Sequence, residues 1–214
     1  MKLLFIGNSH TYYNDLPAIV MALLEQTDVK AHVTMLTKGG KGLIYHAPTH
    51  AAAFNIRYGG YDVIIAQDRA KGFDPVAFRE GATALKSMAD AANTPLCFYM
   101  PWAGRDDRAA QRPMTEAYLA FCKEQGCALA PAGEVFGRLL ATEPPSALYR
   151  EDGNHATPLG SYAAALTVFY TVTGRKRVIR FDEERDPGIG LGLSPELCRR
   201  VHADACHTAR LYNG

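Results

Sequence analysis

Apolar runs of four to six residues recur along the chain, separated by longer stretches of helical periodicity. Residues 3–6 (Leu3, Leu4, Phe5, Ile6), 61–66 and 96–100 carry such runs, the pattern of strands buried on both faces of a parallel sheet. Residues 31–36 alternate apolar and polar positions and predict a second strand, and residues 127–131 predict a short fifth. Between the runs, residues 17–25 bring Ile19, Val20, Leu23 and Leu24 onto one helical face, and residues 78–93, 114–125 and 133–141 also read as helices. Thr157 and Pro158 make an N-cap and a first helical position for a helix that stops at Gly174. Ser194 and Pro195 repeat that signal for a terminal helix, and the charged, then Gly-rich residues 175–192 between them predict an extended loop. Strands alternating with helices predict an α/β fold, a three-layer α/β/α sandwich with a mainly parallel sheet of about five strands.

Composition narrows the function classes. The 214 residues are 48% hydrophobic and 21% charged, which suits one domain over residues 1–214 with a sizeable core. A formal net charge of +1 gives no reason to expect nucleic acid or an anionic membrane as partner, so a small molecule is expected. The first apolar run is cut by Gly7-Asn8-Ser9-His10 well short of a signal-peptide core, and no later stretch is long enough to span a membrane. The expected setting is cytoplasmic, and five cysteines without framework spacing fit reduced thiols.

Candidate chemistry lies at both ends of the helical and strand pattern. Ser9 follows the first strand in a strand-to-helix turn, where backbone amides can point at an anion. Taken alone, Asn8-Ser9 reads equally as a turn or helix cap. In residues 148–160, Asp152 and His155 precede the Thr157 cap at a spacing that lets the carboxylate reach the imidazole, fixing its tautomer and stabilising the imidazolium. A solvated loop whose Asp caps an amide is the other reading of that segment. Ser9, Asp152 and His155 together make up a candidate triad.

These residues resemble the SGNH hydrolase superfamily, the GDSL-like esterases, with Gly7-Asn8-Ser9 standing where the family usually has Gly-Asp-Ser. The run from Phe5 to Tyr12, with Tyr149 to Tyr162, is most similar to an uncharacterised bacterial branch, and the resemblance covers roughly residues 1 to 174. It implies a flavodoxin-like strand order and an oxyanion hole built from the Ser9 amide, a glycine amide after the second strand and an Asn after the third. Residues 37–42 hold three glycines, and Gly40 takes the glycine role by similarity, with Gly39 and Gly42 as register alternatives. The Gly-x-Asn-Asp block that supplies the Asn is absent, and Gln67, after the third strand, is the proposed substitute, with a bond to the adjacent loop as its other reading. By the same resemblance His46 lines the pocket mouth. Trp102, the single Trp, lies at a strand's carboxyl end, where it walls an acyl pocket or, as its other reading, is plain core or rim.

Other chemistries fit less well. His46 and His50 would share a helical face, but the Glu of a His-Glu-x-x-His zinc site is missing. Cys198, His202 and Cys206 fall on one face with Val201, Ala205 and Ala209, which reads as a buried stripe of small residues. No metal and no organic cofactor are implied. Around Ser9 there is no Gly-x-Ser-x-Gly elbow. The expected activity is hydrolysis of a short acyl ester, acetyl on a sugar being one form, through an acyl-enzyme on Ser9. A non-catalytic module binding phosphate or another small anion, and an acyltransferase using the same triad, are the rival readings. Oligomeric state is not legible.

Overall fold

A computed structural model describes all 214 residues. Five strands, β1 (Lys2–Gly7), β2 (His32–Thr37), β3 (Val63–Ala66), β4 (Leu96–Tyr99) and β5 (Ala128–Ala130), pair in parallel in the order β2-β1-β3-β4-β5. This is the flavodoxin-like order the resemblance implies. Helices α1 (Ser9–Tyr12) and α2 (Leu16–Glu25) follow β1, and α3 (Leu43–His46) and α4 (His50–Tyr58) follow β2. The chain continues through α5 (Pro75–Ala91), α6 (Gln111–Gln125), α7 (Ala132–Leu139) and α8 (Pro145–Leu148), then α9 (Pro158–Thr173), α10 (Pro187–Gly190) and α11 (Pro195–Asn213).

Alternation along the strands decides which helices cover which face. Leu3 and Phe5 of β1 point to one side with Val63, Ile65, Cys97 and Tyr99, and α2, α7, α9 and α11 close over them. Leu4 and Ile6 point to the other with Ile64, Ala66 and Phe98, beneath α3, α4, α5 and α6. The result is the three-layer sandwich, with β2 as a half-exposed edge. In α9 every residue from Leu159 to Tyr170 is buried, because the helix is pressed between the sheet, α2, α7 and α11. An all-round apolar helix is what such a position requires.

Capping fixes the helix starts. Thr157 and Ser194 accept the N–H groups of Gly160 and Leu197, each with Pro in the next position, and Gly174 ends α9 at φ 60°. The helix expected from residue 78 starts three residues earlier at Pro75, because Asp74 caps Val76 and Ala77. Residues 175–192, expected as an extended loop, include α10, which Asp186 caps through the Gly188 amide at 2.8 Å. The five cysteines are free thiols, and burial pushes Cys97 up to about 12. No helix is long and apolar enough to cross a membrane.

Candidate active site

Strand order reverses between β1 and β3, because the connections from β1 and from β3 lead to opposite edges of the sheet. Open α/β sheets bind ligands at such a point, beyond the carboxyl ends of the strands. Ser9 sits there, one residue after Asn8, whose carboxamide oxygen accepts the His10 amide and so caps α1. The Asn8 amide group also donates to the Lys41 carbonyl at 2.8 Å, tying the β1 turn to the glycine loop. Asn8 thus joins two of the backbone segments from which the sequence expected oxyanion donors.

His155 reaches the serine from the other end of the chain. Its Nε2 lies 2.8 Å from Ser9 Oγ, and its Nδ1 lies 2.5 Å from Asp152 Oδ2. Asp152 Oδ1 accepts the amides of Asn154 and His155, both at 2.9 Å, so the carboxylate is locked into the turn that carries the histidine. Burial raises the Asp152 carboxyl, but the bond from the His155 side chain and the two backbone amides outweigh it and hold the group well below the usual carboxylate range. The acid therefore stays ionised beside the imidazole. Ser9, Asp152 and His155 form one hydrogen-bonded chain.

The loop bearing Asp152 and His155 is fastened to the β4 loop. Trp102 Nε1 donates to the Asn154 carbonyl at 2.9 Å, Arg105 N to the Gly153 carbonyl at 2.7 Å, and Tyr149 Oη to the Ala103 carbonyl at 2.9 Å. Trp102 lies flat on Phe136 with centroids 4.0 Å apart and leans on His10 at 4.8 Å. Being 1% exposed, it buttresses the histidine loop from inside. His10 itself is buried. Burial, then the neighbouring His155, pushes its imidazole down to about 3, so it is neutral.

Gly40 adopts φ 69°, in the left-handed region, and its amide, like that of Ser9, donates to no other group of the chain. Gly42 makes room for a different reason: a Cβ there would run into Asp68 Oδ1, the oxygen that accepts the Leu43 amide at 2.7 Å. Asp68, a buried carboxylate raised by its burial, is a site-organising residue that the sequence reading passed over. Nothing in its local pattern marks it, since its partner lies 25 positions away.

Gln67 and His46 are placed differently from the expectation. Gln67 is fully buried, and its oxygen accepts the Asn8 amide at 3.1 Å and the Thr11 hydroxyl at 2.9 Å while its nitrogen donates to the Asp68 carbonyl. Its carboxamide braces the turn before Ser9, the bond to the adjacent loop that was its alternative reading. His46 is 5% exposed and sits against the Gly7 carbonyl, beneath the β1 turn and away from any open mouth. His50 is exposed on the next helix, so the two imidazoles do not share one helical face. A hollow of about 310 Å³ lies on the Asp152 side, between the loops after β3 and β4 and the Asp152 turn; Lys71, Phe73, Asp107, Asp152 and Asn154 are among its lining, and Ser9 and His155 are not.

No protein-family model matches the chain, and no curated protein matches its sequence. Solved structures do. A candidate SGNH hydrolase from Slackia heliotrinireducens is 26% identical, with TM-score 0.68 over 80% of this chain and 98% of that one. A DUF4886 family protein from Bacteroides uniformis is 17% identical, with TM-score 0.72 over 100% of this chain and 96% of that one. Axe2, an acetyl-xylooligosaccharide esterase from Geobacillus, is 15% identical, with TM-score 0.61 over 85% and 97%. In fold, this chain belongs with the SGNH/GDSL-like hydrolases.

Proposed function

We propose that the chain is a serine ester hydrolase working through an acyl-enzyme on Ser9. The observation that carries this reading is the unbroken chain of contacts from Ser9 Oγ to His155 at 2.8 Å and from His155 to Asp152 at 2.5 Å. His155 Nε2 takes the hydroxyl proton as Ser9 Oγ attacks the ester carbonyl, and Asp152 holds the imidazole in the tautomer that makes this possible. The free amides of Ser9 and Gly40 receive the oxyanion. His155 then gives the proton to the leaving alcohol, and water repeats the sequence to release the acid. Every step uses groups of the chain itself, so the reaction as proposed needs no metal or organic cofactor.

The substrate we infer is a small-molecule ester with a short acyl group, acetyl on a sugar being the form we favour. The likeness to an acetyl-xylooligosaccharide esterase points this way. Transfer of the acyl group to a second alcohol would use the same residues. A pure anion-binding module has no use for the Asp152 to His155 bond, and we set it second.

The test is turnover of nitrophenyl acetate by the wild type, Ser9→Ala and His155→Ala, with labelling by a fluorophosphonate probe in parallel. Turnover and labelling in the wild type, both lost in the folded variants, support the hydrolase. A wild type that neither turns over nor labels overturns it in favour of anion binding.

A further inference from the structure

Tyr13 and Arg150 lie outside the triad and the oxyanion loop, yet both lean on His155. The Tyr13 ring stacks on the imidazole with centroids 4.2 Å apart and planes 16° apart. The Arg150 guanidinium sits 5.4 Å from the Tyr13 centroid and pairs with no carboxylate, and its backbone amide donates to the His155 carbonyl at 2.9 Å. Two consecutive residues with a Cβ, Asn14 at φ 53° and Asp15 at φ 50°, hold this tyrosine in place from the left-handed region. That conformation is costly and persists only where the surroundings over-determine it. Here they do: the Asn14 amide group donates to the Ala156 carbonyl at 3.0 Å and to Ser161 Oγ at 2.8 Å, and Ser161 Oγ donates to the Tyr13 carbonyl at 3.4 Å. The strained turn is bolted to the residue that follows His155.

We propose that Tyr13 is a positioning residue for His155, an aromatic plate that fixes the ring's plane and stabilises its charged form, with Arg150 on Tyr13 setting how far that stabilisation goes. The inference rests on His155 being the base of the proposed hydrolysis. An electron-rich face stacked on imidazolium favours the charged form, as a cation over an aromatic ring does. The Arg150 cation opposes it. The other groups facing the imidazole are the Asp152 carboxylate, the Ser9 hydroxyl and the neutral His10 ring at 5.6 Å. The device therefore moves the proton affinity of the base without touching the reacting atoms.

The test is an NMR titration of the His155 ring, which reads the contact whether or not the protein turns over ester, together with kcat and KM. Tyr13→Leu should lower the His155 midpoint by about half a pH unit, and kcat about tenfold with KM little changed. Tyr13→Phe should return the midpoint to the wild-type value, and Arg150→Met, which keeps the apolar cover and removes the cation, should raise it. Superimposable titrations of folded wild type, Tyr13→Leu and Arg150→Met overturn the proposal. Should Tyr13→Leu not fold, the Arg150→Met titration decides alone. Moving midpoints in a protein that no fluorophosphonate labels would keep the plate and discard the hydrolase.

Discussion

Asp152 uses both carboxylate oxygens on the same three-residue turn, Oδ2 facing His155 Nδ1 at 2.5 Å and Oδ1 accepting the Asn154 and His155 amides at 2.9 Å. One side chain thus shapes the turn and orients the imidazole. Asp152→Asn should preserve the turn while offering the imidazole an amide, which favours the wrong tautomer. We expect kcat to fall by about 10³- to 10⁴-fold with the circular dichroism spectrum unchanged. Steady-state kinetics on nitrophenyl acetate measure it.

The same carboxyl makes a statement about acid. A group held below its ordinary value contributes stability that is complete above the unfolded value of about 4 and is lost as the pH falls towards the lowered folded value. The wild type should therefore gain stability over Asp152→Asn as pH rises from about 2 to 5 and show no further pH-dependent gain from this group up to 7. Urea midpoints at each pH check the sign.

Gln67 accepts from Asn8 and Thr11, two residues of the turn that presents Ser9. Gln67→Leu orphans the Asn8 amide and the Thr11 hydroxyl in a buried place, which should cost roughly 2 to 4 kcal/mol in urea unfolding. The variant that remains folded in the cold should keep kcat within about tenfold of wild type. A loss of about 100- to 1000-fold in well-folded protein would mean that the amide reaches the oxyanion after all.

Gly40→Ala puts a Cβ on a residue at φ 69° where no neighbouring atom obstructs it. Strain of about 1 kcal/mol should turn the loop and misaim the free amide, lowering kcat by up to about 100-fold. Hydrolysis of short nitrophenyl esters reads the loss, and a variant with wild-type kcat would remove Gly40 from the oxyanion hole.

Away from the serine, Asp186 accepts from Tyr162 at 2.8 Å and lies 2.8 Å from His202 Nε2, while Tyr170 sits 2.8 Å from His202 Nδ1. Both partners of the Asp186 and His202 pair are buried, at 0% and 1% side-chain exposure. Burial raises the carboxyl, but the bonds from His202 and Tyr162 win and hold it below the usual range. Asp186→Ala should cost about 3 to 5 kcal/mol at neutral pH by leaving those donors without an acceptor. The difference from wild type should shrink as the pH falls below about 4, because the unfolded chain's carboxyl then binds a proton while the native carboxylate, held lower, is still ionised.

How much of this was legible in the sequence follows from the range of each interaction. Ser9, Asp152 and His155 were readable because each carries local marks: an apolar strand run before the serine, a three-residue Asp-to-His spacing, and the Thr157-Pro158 cap behind it. The strand order followed from the resemblance those marks allowed. For Gln67 the sequence leaves both readings open, because its orientation depends on Asn8 and Thr11, 59 and 56 positions away. Tyr13 gave no signal, since adjacent aromatics read as rim or core and only the left-handed Asn14 and Asp15 swing the ring onto His155. Asp186 lay in a stretch that reads as solvated loop, yet its partners are on α9 and α11, and packing alone brings them together.

Ser9 and His155 are 146 positions apart, so a growing chain cannot bring the two side chains together until the segment carrying His155 has been made and α9 has docked between the sheet and α2. The proposed chemistry is thereby tied to long-range folding rather than to the local turn around Ser9. A copy lacking that segment would carry an ordinary serine alcohol at Ser9, without the His155 contact.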